Sequence, residues 1–500
     1  MVSSVTGDRF HHPTRESKVT MPPILPIKVM PIARLKVVKP VATFTCATLF
    51  TPKRSTQRQD GQPTIRFLGG RVTLHAPMHH RDPNEAHRGS SALEKLFDLT
   101  LVVALSAVSR QFGTNIVQRP TDIWLHIVQF LKSFFLIWNT WFPFVWFATT
   151  YDVDDVCFRL ATLGEMAGVL MISDGIEHAT NTEILHGYIV LRFFHVFCFR
   201  FRAAVQDPLR RAVNVKYGVA TIGIMVAWSV QQTYATTFAS DTIGFACLAL
   251  CDLAAPYIAQ TTSTHQAKYH PQHISDRYAE FTIIVIGESI LSLSHATTLK
   301  SSPTEYNLEA ISTCVASLVL LFALWWVYFI VPFGAILHDN PSLKYTVAYG
   351  HFFIHASLAA FATGIYVAGL ATQPPSNVNP SDEATRRRVL LESPVVVVSV
   401  STAAYVIASS ATAYLVSIPL MLHFPTKILV RNSLVSLGMV FVAVFATSHV
   451  NVGRLLWLFC IPLMCLLGHI MATYRVKTPK LESPTVAALS EWPQNPTESD

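Results

Sequence analysis

The chain's 500 residues include 51% hydrophobic and only 14% charged letters, with a mean hydropathy of +0.37; an ordinary globular chain carries about 25% charged residues, which excludes a string of water-soluble domains. Disorder over most of the length is excluded as well, because disordered chains are poor in apolar residues and rich in charge, and eight Cys lying mostly inside apolar runs are no secreted disulfide framework. The net charge of +7 belongs to the start of the chain: residues 1–88 hold 14 Lys+Arg against 5 Asp+Glu, leaving 24 basic and 26 acidic groups for everything else, and no aromatic-interleaved basic patch points to nucleic acid.

Residues 1–80 are rich in Pro, Arg, Lys and Thr, as in Met21-Pro22-Pro23 and the polar run from Lys53 to Gln59. They show no sustained helical period, and the apolar piece from Val41 to Leu49 falls far short of the roughly 20 residues that a bilayer span needs. A basic, acid-poor start invites comparison with a transit peptide, but no clear amphipathic helix accompanies it. We read 1–80 as a disordered basic cytosolic tail, 81–474 as the transmembrane domain, and the polar, Pro-rich 475–500 as a second tail.

From Leu93 onward apolar segments alternate with short polar joints, at about 93–112, 123–149, 155–175, 185–205, 214–236, 241–260, 277–299, 308–332, 344–371, 393–419, 429–449 and 453–473, each long enough to cross about 30 Å of hydrocarbon. Continuously apolar runs without alternation mean helices rather than a barrel. The expected fold is all-α: a polytopic transmembrane helical bundle of about 12 spans. The first and seventh segments each follow a His-bearing polar lead, Asp82 to Arg88 and His270 to Arg277, which hints at two six-helix halves. An even count puts both termini on one side, expected to be cytosolic because Lys and Arg collect there. That side would hold the basic first tail, the joint from Arg200 to Lys216 and the joint with Lys427 and Arg431, while joints with Glu177, Glu183 and Asp241 would face the other way. These joints do not all alternate cleanly with the twelve segments.

Ionisable groups inside apolar segments are the informative residues, since a charge at mid-bilayer is costly and faces the protein interior or water. Glu94 and Asp98 lie four apart on one helical face near a helix start, where they serve either as caps paired with Lys95 or as lining of a polar cavity. Asp152, Asp154 and Asp155 can bind a cation through oxygen ligands, or cap the third segment with Asp155 paired to Arg159. Glu165, ten residues into that segment, is too deep to be a cap. In the seventh segment, steps of about 100° place Glu280 about 80° from Glu288 and His295 about 20° from it, on one broad face. Glu288 follows seven uncharged residues, beside Gly287, which would let another backbone approach; it either handles a proton or cation or locks helices together. His270, His273, Asp276 and Arg277 form a membrane-edge cluster in which no metal is expected for want of a fourth ligand. His351, with His355, can face the same cavity or bond to neighbouring helices. Cys247 and Cys251 read as core.

At these residues the chain resembles the bacterial low-temperature-requirement A family of multi-spanning membrane proteins. Arg81-Asp82-Pro83-Asn84-Glu85-Ala86-His87-Arg88 and Leu93 to Leu99 are similar to its opening R-D-P-x-E-x-H-R and L-E-L-x-F-D-L. Trp146-Phe147 with Tyr151 to Asp155, His270 to Tyr278, Phe281 to Ser289, and Tyr349-Gly350-His351 follow in the family's order; Asp276, Lys95 and Glu280 depart from its pattern. The resemblance implies a fold rather than a reaction. Two functions stay open. One is a transporter or channel moving a small solute, metabolite or ion through a cavity lined by Asp98, Glu165, Glu280, Glu288 and His351. The other is a membrane-embedded enzyme or biosynthetic accessory protein using the same acids on a lipophilic substrate. No hydrolase elbow, phosphate loop or zinc-protease helix is present in the sequence, no cofactor is expected, and the partners expected are the lipid bilayer and a small molecule or ion.

Overall fold

The computed structural model describes residues 64–67, 70–82, 85, 88–152, 154–297, 306–373, 394–445 and 451–473. All belong to one compact unit, residues 49–500; most of the two expected tails lies outside the described residues.

The helices run in chain order: α1 (Ala92–Gln118), α2 (Ile123–Thr150), α3 (Val156–Glu177), α4 (Asn181–Phe193), a π-helical stretch (Phe194–Phe201), α5 (Arg202–Gln206), α6 (Arg211–Tyr234), α7 (Phe238–Thr261), α8 (Pro271–Ala296), α9 (Leu308–Phe329), α10 (Phe333–Asp339), α11 (Lys344–Leu370), α12 (Pro394–Met421), α13 (Thr426–Phe445) and α14 (Val452–Thr473). With α4, the π stretch and α5 continuous, and α10 continuing α9, each of the expected segments corresponds to one long helical stretch. Ten of these stretches, all but α1 and α2, are long and apolar enough to cross a membrane. The chain is therefore an integral, multi-pass membrane protein.

The two that fall short show why composition alone undervalues them. α1 carries Glu94, Lys95, Asp98 and Arg110, and α2 carries His126, Lys132 and Asn139. From Phe134 to Thr150 nearly every residue of α2 is buried. Trp138 stacks on Phe142 at 4.9 Å and Trp141 on Phe281 at 4.4 Å, offset arrangements that bury large aromatic area. A helix wrapped by protein needs no lipid-facing stripe.

Contacts sort the helix ends into two groups. At what we term the proximal end, the start of α1 meets the start of α8, and the joint before α3 meets the start of α5 through Arg202. At the distal end, Arg110 of α1 reaches Glu177 of α3, Lys132 of α2 reaches Asp241 of α7, and Trp457 of α14 reaches Ser312 of α9. The long helices then alternate in direction throughout, and α1 and α8, the first and seventh, start together. The basic joints 200–216 and 427–431 fall at the proximal end and the Glu177, Glu183 and Asp241 joints at the distal end. The alternation that looked imperfect in the sequence is regular in the fold, because the π stretch and α5 carry residues 194–206 on to the proximal end.

Residues 64–80, expected as the end of a disordered tail, are partly ordered. Strands β1 (Thr64–Phe67) and β2 (Gly70–Thr73) form an antiparallel hairpin, and β3 (His79–His80) pairs with β4 (Tyr151–Asp152). From the end of β2 to Arg81 an extended strap is fixed by three backbone amides: Ala76 donates to Asp155 at 2.7 Å, Met78 to Gln206 at 2.7 Å, and Arg81 to the Thr150 carbonyl at 2.9 Å.

α3 and α4 approach closely because small residues face each other. A Cβ on Gly168 would sit 2.7 Å from the Gly187 carbonyl, and one on Gly175 2.7 Å from the Ile184 backbone nitrogen; small residues at such contacts are how membrane helices pack without a hydrophobic drive. The close approach expected at Gly287 is not found: nothing lies within 4 Å of a Cβ there, and that face of α8 is exposed.

Candidate functional site

At the proximal end the polar starts of α1 and α8 interlock. Ser91 caps α1 in a capping box with Glu94; Glu94 Oε2 accepts from the Ser91 amide and has His273 Nε2 3.4 Å away, while Oε1 accepts from Arg88 Nη2 at 2.9 Å. One turn on, Asp98 Oδ1 accepts from Arg277 Nη2 at 2.6 Å and from the Trp141 indole at 3.0 Å. Arg277 Nη1 also donates to Glu280 at 3.1 Å, and Glu280 further accepts from the Ser90 hydroxyl, with Lys95 Nζ 3.9 Å away. Glu94, Asp98, His273 and Arg277 are buried and Glu280 is half-buried. Glu94 thus caps α1 and is buried between Arg88 and His273, lining neither the cavity nor the cleft described below, and Arg277 rather than Lys95 is the cation that holds Asp98.

The other membrane-edge residues separate. Asp155 caps α3 by accepting from the Phe158 amide at 2.8 Å, but its ion-pair partner is Arg202; Arg159 pairs with Asp154 instead, Nε to Oδ1 at 2.8 Å. The reason is the N-cap geometry, which turns Asp155 inward and leaves exposed Asp154 on the Arg159 side. Burial pushes the Asp155 carboxyl up, but Arg202 and the amides of Ala76 and Phe158 prevail and hold it below the usual carboxylate range. Asp152 is placed by its backbone pairing with His79. His270 caps α8, its Nδ1 accepting from the His273 amide at 3.2 Å, and Asp276 accepts from Gln272 at 2.7 Å. Among the described residues no group of three His, Cys, Asp or Glu converges to hold a metal.

Deeper in the bundle, Glu165 is completely buried and meets His195, whose Nδ1 lies 3.0 Å from Oε1. Arg200 Nε in turn donates to His195 Nε2 at 3.2 Å, while the Arg200 guanidinium lies over the rings of Tyr217 and Phe147 at 4.5 and 5.1 Å. His351 bonds to Tyr328 at 3.0 Å and to the Val347 carbonyl at 2.7 Å, and His355 to Thr282 at 3.0 Å. These two histidines tie α11 to α9 and α8. Glu288 accepts from Ser292, one turn on in α8, at 2.8 Å. His295 is exposed, because the buried stripe of α8 passes through Phe281, Val285, Ser289, Ser292 and Ala296, and His295 falls at its margin in the last turn.

A further deeply buried ionic cluster was not singled out in the sequence. Arg192 of α4 and Asp252 of α7 face each other at 3.3 Å. The Tyr188 hydroxyl bonds to Asp252 and accepts from Arg192 Nη2 at 2.7 Å, while Asn139 of α2 donates to Tyr188 at 3.0 Å and to Asp252 at 2.8 Å. Arg192 Nη1 reaches the Tyr217 hydroxyl at 3.4 Å. The cost argument that singled out Glu288 applies equally to an Arg and an Asp in the middle of two apolar runs; that was the missed signal.

A cavity of about 740 Å³ enters the bundle at the distal end, between α1, α2, α3, α4, α6 and α7. Its wall is polar and aromatic, with the Arg110–Glu177 and Lys132–Asp241 pairs, Trp228 and, against the buried cluster, Tyr188. None of Asp98, Glu165, Glu280, Glu288 or His351 lines it, so the expected single acid-lined cavity resolves into separate buried clusters. At the proximal end a small cleft of about 50 Å³ is lined by Arg200, Tyr217, Val213 and Lys344 among others. Cys247 and Cys251 are exposed on the outside of α7, not in the core.

The family model described as bacterial low temperature requirement A protein (LtrA) matches residues 90–482. No curated protein and no solved structure matches the chain.

Proposed function

The chain belongs to the bacterial low temperature requirement A family, and from that premise we propose that it is a transporter, moving a small polar solute or ion between α2, α4, α6 and α7. The observation that carries this reading is the alignment of the distal cavity, the Tyr188–Asp252–Arg192–Asn139 cluster and the proximal cleft. Tyr188 lines the cavity, Tyr217 lines the cleft, and Arg192 touches both hydroxyls. Charges inside a membrane are costly, and where they persist they mark solute and ion pathways. A cavity of about 740 Å³ falls within the 300–1,000 Å³ range of small-molecule sites. In this conformation the cluster is the plug that separates the cavity from the cleft.

On this reading the proximal end is cytosolic, since Arg200, Arg202, Arg210, Arg211, Lys216, Lys427 and Arg431 all belong to joints on that side. The experiment compares the small-molecule content of cells and medium for cells lacking the gene and for cells carrying the wild-type or Asp252→Asn protein. A compound whose distribution across the membrane changes in the first and third, without change in its structure, supports transport. A compound that is chemically converted only when the wild-type protein is present overturns it in favour of an enzyme.

A further inference from the structure

We propose that Glu165 is a proton-binding site, held through His195 to Arg200 at the cleft. The three groups are brought together by an irregularity of the chain. In an α-helix, residues five apart lie about 140° from each other, so His195 and Arg200 would diverge; in the π-helical stretch Phe194–Phe201 they point the same way, and Arg200 Nε reaches His195 Nε2. π-Helical turns are rare and frequent at functional sites. The glycines of α3 complete the arrangement, Gly164 lying under the Phe194 ring and Gly168 against Leu191, which draws the π stretch onto Glu165.

The hydrogen bonds assign the proton positions. The Arg200 Nε–H is always a donor, so His195 Nε2 offers its lone pair and the ring proton is on Nδ1, donated to Glu165 Oε1. His195 is thus a neutral spacer, and no cation touches the carboxylate directly. Glu165 Oε2 is buried and makes no hydrogen bond among the described residues. An ionised carboxylate with a buried, donorless oxygen is costly in a membrane interior, and one proton on Oε2 removes its charge. The step is an addition: a proton delivered from water binds the Oε2 lone pair, and Glu165 passes from anion to neutral acid with no bond broken in the protein.

The groups facing Glu165 from the packed elements are Arg192 on α4 and Cys198 and Arg200 on the π stretch, with Tyr217 of α6 against the His195 ring; on α1, Asp98 is engaged by Arg277 and Trp141. Arg192 is already neutralised by Asp252. Protonation of Glu165 therefore leaves Arg200 as the uncompensated charge, and Arg200 lines the proximal cleft. If the chain is a transporter, as proposed above, this makes the proton its coupling ion; the proton site itself does not depend on that reading.

The test is infrared difference spectroscopy of the purified full-length protein in lipid, titrated from alkaline to acidic pH. The wild type is expected to gain a carboxylic-acid C=O band that Glu165→Gln lacks, and His195→Gln is expected to shift the midpoint of that band. If Glu165→Gln does not yield folded protein, the His195→Gln shift alone decides. Identical titrations in wild type and variant overturn the proposal. A titrating Glu165 in a protein that moves no solute keeps the proton site and removes transport.

Discussion

Arg192 and Asp252 sit on helices 60 residues apart in sequence and face each other at 3.3 Å, both essentially without solvent access. Their pairing decides the fate of the substitutions around it. Removing one partner of a buried ion pair leaves an uncompensated charge and costs about 3–5 kcal/mol, whereas replacing both with apolar residues is often neutral. Asp252→Leu alone is expected to lower the detergent-solubilised protein's Tm sharply, and Arg192→Leu with Asp252→Leu to recover most of it. A Tm loss in the double variant equal to the sum of the two single losses would show that the pair is not coupled.

Asp155 joins the strap to the bundle as a cap and an ion-pair partner at once. Replacing it with Ala removes the α3 cap, worth about 0.5–2 kcal/mol, and the contact with Arg202 as well. Asn, a good cap, is expected to lose less. Because the folded carboxyl titrates below its ordinary range, its contribution is present in full above the unfolded pKa of about 4 and is lost as pH falls through the folded value. Thermal melts of wild type and Asp155→Asn should therefore converge on acidification; a gap that stays constant with pH would contradict this assignment.

Truncation separates tail from strap. Deleting residues 1–75 keeps the amides of Ala76, Met78 and Arg81 that hold the strap, along with Arg88, and is expected to leave membrane insertion and thermal stability intact. Deleting residues 1–90 removes all four and is expected to destabilise the proximal end, read as faster hydrogen exchange at the start of α3 and α8. Loss of insertion in the shorter deletion would assign targeting information to the tail.

Glu288 is buried on α8 and accepts from Ser292 at 2.8 Å. Glu288→Gln keeps the size and the hydrogen bonds of the acid and removes its charge. Transport activity is expected to fall while membrane abundance stays near wild type. Glu288→Leu leaves the buried Ser292 hydroxyl without this acceptor, at about 1–3 kcal/mol, and is expected to reduce abundance. Full activity in the Gln variant would reduce Glu288 to a structural role.

The long helices were legible because continuous apolar runs of bilayer length admit almost nothing else, and Glu165 and Glu288 were legible because a carboxylate deep in such a run has to be buried. Their partners were not. His195 meets Arg200 only because the chain departs from α-helical geometry, which periodicity cannot foresee. Gly287 and His295 were misread for the opposite reason: a helical wheel gives direction but not the depth to which neighbouring helices cover it. The cavity was invisible because Arg110, Lys132, Glu177 and Asp241 lie near helix ends, where charges read as ordinary interfacial residues. Asp155 was assigned to Arg159 by the i,i+4 rule, and tertiary contact with Arg202 prevailed.

The most direct test of the account is whether the Arg192–Asp252 cluster separates two compartments. Single cysteines at Ser133, in the cavity wall, and at Val213, in the cleft, would be placed in a background without native cysteines and treated with a membrane-impermeant thiol reagent on one face at a time. In the otherwise native protein the distal face should label only Ser133→Cys and the proximal face only Val213→Cys. With Arg192→Ala and Asp252→Ala added together, reagent on the distal face should now reach Val213→Cys. If Val213→Cys stays closed to the distal face with the cluster removed, the cavity and the cleft are not one route, and the transport account fails.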